Sequence, residues 1–323
     1  MLRYRCASLG ALVLFLAALP ASAQQALPRT ADGHPDLGGM WWTRGLTPME
    51  RLPGATKLVV DDAEATALAN AVYARMRTPE AAFGDPDNDN ADVRTLNRVG
   101  GQWRTSLIID PPDGRLPFTP KGREMITAAS RFKALAEGIG GDGPEGRAVF
   151  ERCLAGSGRS PLVTIPANNI RQIVQTPEDV AVYSEEGGDL RIFRIGAARP
   201  ASPNASWWGD TTAHWEGEVL VAETTHLREQ MVAGPTNNFL VGPDTRVTER
   251  FSLVSPDEID YQFRIDDPVI YSVAWTAEYN LNRVDGGGLE YGCHEGNYSL
   301  PSILTAARLA DSARATPAKA RRR

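Results

Sequence analysis

A chain of 323 residues, 42% hydrophobic and 23% charged, is long enough for one large core or two small ones and has the balance of a folded globular protein. A formal net charge of -6 excludes a general nucleic-acid binder, because phosphate neutralisation needs clustered Lys and Arg. The dense basic cluster Arg321-Arg322-Arg323 reads as part of a solvated, disordered tail.

At the N-terminus, Arg3 and Arg5 precede an apolar run over residues 11–19, and Ala21-Ser22-Ala23 stands before Gln24. Positive, apolar, then small-x-small is the layout of a secretory signal peptide over residues 1–23, too short for a comfortable membrane span. No later stretch is apolar for long enough to cross a bilayer, so the expected location is periplasmic or secreted, without a transmembrane segment. Cysteine usage agrees. Cys6 leaves with the leader, and Cys153 and Cys293 are expected to pair in an oxidising compartment. Closing so long a loop restricts the unfolded chain by ~4–5 kcal/mol in the entropy model. Two buried free thiols are the other reading, and a catalytic cysteine would have only His294 beside it as a base.

Residues 24–36 are polar and turn-rich, an extended lead-in. Leu37-Gly38-Gly39-Met40-Trp41-Trp42 then sets a glycine two residues before an aromatic, an arrangement similar to the G-x-W opening of lipocalin-type barrels. A helix is expected from Asp61, which can cap, with Glu64 reaching back, an apolar stripe of Ala65, Leu68, Val72 and Met76, and Pro79 as its stop. The aspartates of residues 85–92 have the rhythm of a calcium loop. Asn90 stands where the sharp turn needs Gly, however, and Leu96 where a bidentate Glu is needed, so a polar surface loop is expected. Residues 106–110 read as a strand stopped by Pro111-Pro112-Asp113-Gly114, and residues 120–136 as a second helix. Glycines 138, 140, 141 and 143 mark a joint between an N-terminal part (24–145, a strand, helices and loops packing on the sheet) and a C-terminal part (146–310).

From Pro161 onward, short strands follow at close spacing: 170–175, 180–184, 190–195, 211–215, 219–224, 246–254, 258–265 and 271–281, with turn-formers between neighbours. Short turns force antiparallel pairing, so the expected fold is mainly β, an antiparallel up-and-down barrel or strongly curled sheet with a partly helical N-terminal region. Along 258–265, Ile259, Tyr261, Phe263 and Ile265 share one face, while Glu258, Asp260, Gln262 and Arg264 share the other; either could face the lumen. The hairpin over 207–226 is expected to turn at Glu216-Gly217, pairing Trp215 with Glu218 and Asp210 with Glu223. Asp210, Thr212, His214 and Glu223 then share one face. Past a glycine turn at 285–288, a terminal helix is expected over 299–309, followed by a disordered tail at 311–323.

Several phrases occur together: Asp36-Leu37-Gly38-Gly39, the Asp110-Pro111-Pro112-Asp113-Gly114-Arg115 run, Glu151-Arg152-Cys153, Trp215-Glu216-Gly217-Glu218 and Cys293-His294-Glu295-Gly296-Asn297-Tyr298. As an ensemble they span nearly the whole mature chain and resemble a large family of exported bacterial proteins loosely described as lipocalin-like. The resemblance implies export and a barrel, and no reaction. His226 stands where such sequences usually carry Asn, and the hairpin turn is Gly-Glu where Gly-Asp is commoner.

There is no G-x-S-x-G elbow, phosphate loop, dinucleotide fingerprint or H-E-x-x-H. Four constellations remain. Asp210 facing Glu223, with His214 beside them, could split two carboxylate pKa values into an acid and a base, unless each carboxylate simply meets an Arg or an amide. His294 and Glu295, fixed by a bridge at Cys293, could form with Arg152 and Glu151 a floor for a polar group, or be an ordinary satisfied loop. The four histidines, His34, His214, His226 and His294, lack ligand spacing on one helix, and no metal site is expected. Trp41, Trp207 and Trp208 could line an aromatic pocket or fill the core. The favoured function is binding of a small lipophilic or aromatic molecule in a barrel pocket. The alternative is a cofactor-independent acid/base enzyme, a lyase, isomerase or hydrolase, acting on a small organic substrate. No cofactor is expected, and the partner is a small molecule rather than a nucleic acid.

Overall fold

The computed structural model describes residues 26–43, 45–76, 94–136, 143–147, 149–163, 170–198, 204–232 and 238–315. The expected leader, the aspartate-rich loop at 85–92, Pro79, glycines 138, 140 and 141, and the tail beyond residue 315 lie outside them.

The N-terminal part supplies β1 (Gly39–Trp42), β2 (Val59–Val60), α1 (Asp62–Met76), β3 (Arg98–Val99), β4 (Gln102–Arg104), β5 (Ile108–Asp110) and α2 (Pro120–Ala136). After these come β6 (Arg171–Gln175), β7 (Asp179–Ser184), β8 (Asp189–Ile195), β9 (Asp210–Glu216), β10 (Val219–Thr225), β11 (Gln230–Val232) and β12 (Phe239–Val241). The chain ends with β13 (Arg246–Ser255), β14 (Glu258–Asp266), β15 (Trp275–Arg283), the one-turn α3 (Cys293–Gly296) and α4 (Ser299–Ala315).

Nine strands close into a barrel in the order β1, β6, β7, β8, β9, β10, β13, β14, β15, with β15 returning to β1 through Trp41/Arg283 and Trp42/Asn282. β5 pairs with the other end of β15, so the N-terminal part contributes strands to the wall as well as packing on it. All eight strands expected after Pro161 are present. Two details differ. β8 and β9 run parallel, through Arg194/Thr212 and Ile195/Ala213, because the chain between them is long enough to return to the starting end; the barrel is therefore mixed. β15 begins at Trp275 rather than near Tyr271, because Asp267 accepts from the Val269 and Ile270 amides and holds that stretch as a turn. At the C-terminus, α4 continues past residue 309 to Ala315.

The barrel's inside is read directly from burial. Ile259, Tyr261, Phe263 and Ile265 of β14 are buried in the core, which settles the polar face of that strand as the outer one. Tyr261 lies 4.8 Å from Tyr279 and 5.0 Å from Phe251 by ring centroid, and Trp275 meets Phe239 edge-on at 5.4 Å. Trp41 is fully buried, its indole donating to the Leu37 carbonyl and its ring covered by the Arg283 guanidinium at 4.3 Å. A second, smaller core lies under α1, where Ala65, Ala69 and Val72 pack on Val60 and Leu96 beside the three-stranded sheet β2-β4-β3. Asp61 caps α1 as expected, accepting from the Glu64 amide at 2.9 Å. Arg104 of β4 pins this sheet to the barrel through Glu278 at 2.7 Å.

The β9–β10 hairpin turns at Gly217-Glu218, because Gly217 takes the left-handed backbone (φ 60) that the first turn position requires. Partners therefore move by two positions: Leu220 faces Trp215, Thr225 faces Asp210 and Thr212 faces Glu223. An even shift keeps every side chain on its expected face. It separates the carboxylate pair.

Candidate functional site

Of the places where sequence reasoning put chemistry, the outer face of β9–β10 is the first. Asp210, Thr212, His214 and Glu223 share it, while Thr211 and Ala213 point inward and are buried. Asp210 and Glu223 engage different partners. The Asp210 carboxylate stands 3.1 Å from His226 Nδ1, and Glu223 meets Arg246 at 3.3 Å. His214 stands 3.2 Å from Glu216, which also accepts from Arg250 at 2.8 Å. These bonds, the one from Arg250 first, and the Arg250 charge hold the Glu216 carboxyl below its ordinary range. The three candidate residues thus have separate partners along a half-exposed wall, His226 for Asp210, Arg246 for Glu223 and Glu216 for His214.

The lumen is the second place, and it is full. Residues 155–163 are buried without interruption and have no strand or helix partner; their polar groups are met by side chains that point inward from the wall. The Gly156 and Gly158 amides both donate to Asp189 of β8, at 2.8 and 3.0 Å. Ser160 Oγ donates to Glu249 of β13 at 3.0 Å, the Leu162 amide to Tyr261 Oη of β14 at 3.0 Å, and Tyr279 Oη of β15 to the Leu162 carbonyl at 3.0 Å. Arg171 of β6 donates to the Val163 carbonyl. At the centre, Glu249 takes both terminal nitrogens of Arg191, at 3.0 and 2.5 Å, and the Tyr261 hydroxyl at 2.7 Å. Burial pushes the Glu249 carboxyl up; the Arg191 charge and these bonds pull it further down, so it lies below the ordinary range.

At one end of the lumen Arg159 donates to Gln230 at 2.8 Å, and Trp208 lies against the Asp189 carboxyl, which burial pushes up. Trp207 is covered by Arg228 at 5.2 Å. Thus Trp41 belongs to the core, and Trp207 and Trp208 are half-buried around the end of the barrel.

The third place is the disulfide. Cys153 and Cys293 are bonded, as their count suggested, with Cα atoms 5.8 Å apart. Beside the bridge lies a cleft of about 410 Å³ between residues 147–151 on one side and 291–303 on the other. Phe150, Tyr291, Leu300 and Ile303 give it an apolar wall; Arg147 and Glu151, ion-paired at 2.8 Å, give it a polar edge. Asn297 holds the two sides together, donating to the Glu151 carbonyl at 2.8 Å and accepting from the Leu300 amide at 3.3 Å. Phe150 and Tyr291 meet across it, ring centroids 5.9 Å apart. Arg152, His294 and Glu295 flank the bridge in sequence without lining the cleft; His294 and Glu295 are exposed and Arg152 is half-buried.

One titratable group was missed by sequence reasoning. Burial drives the Glu186 carboxyl up to about 7, against the opposing pull of Ser157, Arg171 and Arg159, and burial with the Glu186 charge pushes the Tyr291 hydroxyl up in turn. Among the described residues, no group of three or more His, Cys, Asp or Glu side chains is placed to hold a metal ion. Compared with protein-family models, curated proteins and solved structures, the chain matches none.

Proposed function

We propose that the protein binds a small lipophilic or aromatic molecule in the cleft beside the Cys153–Cys293 bridge. One observation carries the reading: a space of about 410 Å³, the size of small-molecule sites, is walled by Phe150, Tyr291, Leu300 and Ile303 and edged by an Arg–Glu pair. The lumen, by contrast, already holds residues 155–163. An apolar body would lie between Phe150 and Ile303, and a polar head would reach Arg147 and Asn297 at the edge. The proposed setting is an oxidising compartment, periplasmic or extracellular, to which the bridge is suited. No described helix is long and apolar enough to cross a membrane. Kinship with exported lipocalin-like proteins belongs to the same proposal.

Fluorescence titration with anilinonaphthalene sulfonate, an aromatic body with an anionic head, tests it. Ile303→Trp fills the cleft and is expected to weaken binding by at least about tenfold, while Glu223→Ala on the outer wall leaves it unchanged. Equal affinity in Ile303→Trp and the parent chain would overturn the reading.

A further inference from the structure

The cleft has two sides, and the chain joins them only through the barrel. Arg147, Phe150 and Glu151 precede the buried segment 155–163, whereas Tyr291 through Ile303 belong to an arm that leaves the barrel after Arg283. Cys153 and Cys293, separated by 140 positions, tie these sides covalently. Asn297 to the Glu151 carbonyl and the Phe150–Tyr291 ring contact are the other ties described above. Among the described residues, no ladder of backbone bonds crosses between the sides, and α4 is largely exposed.

The anchor on the barrel side is firm. Cys153 stands two positions before a stretch whose Gly156 and Gly158 amides are bonded to Asp189 inside the barrel. The bridge therefore passes the rigidity of the filled lumen to the arm. Both cysteines are half-buried, within reach of a small dithiol.

Taking the cleft as the ligand site, we infer that the Cys153–Cys293 bridge is a redox switch for binding: closed, it holds the two walls at ligand-binding distance; reduced, it releases the arm and removes the site. The chemistry is thiol–disulfide exchange. A thiolate of an external dithiol attacks one bridge sulfur and the other leaves as a thiolate that takes a proton; the second external thiol, giving up its proton, then displaces the bound cysteine. Cys153 and Cys293 end as two thiols, and the dithiol, having supplied both electrons, ends as a disulfide. Losing the tether turns a pre-organised site into one whose ordering cost falls on each binding event.

The test uses the full chain and anilinonaphthalene sulfonate. Affinity is measured oxidised, after reduction with dithiothreitol and after reoxidation with oxidised glutathione, with near-ultraviolet circular dichroism reporting the aromatic barrel core. Cys153→Ser/Cys293→Ser serves as a reduced form without free thiols. The expected result is a native near-ultraviolet spectrum throughout, with affinity at least about tenfold weaker in the reduced and double-variant forms and restored on reoxidation. Unchanged affinity in a reduced chain with a native core would overturn the switch while leaving the cleft as the binding site. Loss of the core spectrum on reduction would also overturn it, since the bridge would then hold the whole fold. A probe that fails to bind the oxidised chain would instead sink the cleft reading itself.

Discussion

The barrel lumen and the cleft beside the bridge are built from the same kinds of side chain, aromatics with Arg and Glu, and are put to opposite uses. In the lumen, Glu249 meets Arg191, Tyr261 and Ser160 at once, and main-chain groups of Gly156, Gly158, Leu162 and Val163 are met by inward side chains. At the cleft, Arg147 and Glu151 pair at the rim and the apolar wall is left uncovered. Buried charge is tolerable when it is paired and hydrogen-bonded from within, and a pair so engaged does not offer itself to a ligand. A partly exposed rim beside an unfilled apolar wall does.

The comparison breaks most severely at its centre. Glu249→Ala strands the Arg191 guanidinium in the lumen and should lower unfolding stability by ~3–5 kcal/mol in a denaturant titration, with probe affinity unchanged wherever the chain is folded. A loss under about 1 kcal/mol would mean that the pair is not the buried tie described. Because the folded Glu249 carboxyl lies below its ordinary value, the pair's contribution is present above about pH 4.5, the unfolded value, and fades as pH falls through the folded pKa.

Removing the bridge is comparable in size. Cys153→Ser/Cys293→Ser should cost up to ~4–5 kcal/mol on chain-entropy grounds for a loop of 140 positions, and, unlike Glu249→Ala, it should also weaken the probe. Equal probe affinity in both variants would erase the distinction between the two regions.

Two carboxyls sharpen the contrast in the other direction, since their surroundings oppose ionisation. Glu186, at about 7 in the fold against 4.5 unfolded, costs stability that grows as pH rises above 4.5 and is complete above about 7. Glu186→Gln should therefore raise the unfolding free energy at pH 8 by ~1–3 kcal/mol and leave it unchanged at pH 4; the opposite pH trend would show the carboxylate to be well paired. Asp260, on the outer wall, is raised to about 6 by burial and by the charges of Glu258 and Glu278. Its screened position makes the gain from Asp260→Asn smaller, about 1 kcal/mol at neutral pH. Smallest of all is Glu223→Ala, whose Arg246 partner is half-exposed; a change in unfolding free energy within about 0.5 kcal/mol is expected.

What the sequence disclosed follows the same division. Strands with a clean period of two, such as 258–265, were readable to within a residue or so, because alternation and turn chemistry are local. The disulfide was readable by counting. Residues 155–163 were not, since an irregular segment held by side chains from five strands has no period of its own. A signal did exist: Arg171, Asp189, Arg191 and Glu249 fall in the inward phase of strands whose other inward residues include Ile173, Phe193, Val247 and Phe251. A charge in the apolar phase announces a buried partner. The register of the β9–β10 hairpin was missed by two positions because Gly217 could stand at either turn position, and only the left-handed backbone at its start decides between them. His226, at φ 57, occupies a left-handed position that Asn tolerates better. The cleft joins residues 147–151 to 291–303, a proximity that only the bridge and the tertiary fold create.

The most direct test is a residue-by-residue map of amide nitrogen–proton correlation spectra during titration of the oxidised protein with anilinonaphthalene sulfonate. Shifts confined to residues 147–151 and 291–303 are the predicted outcome. Shifts centred on the lumen around Arg191, Glu249 and Tyr261, or on the outer face around Asp210 and Glu223, with the cleft unmoved, would contradict it.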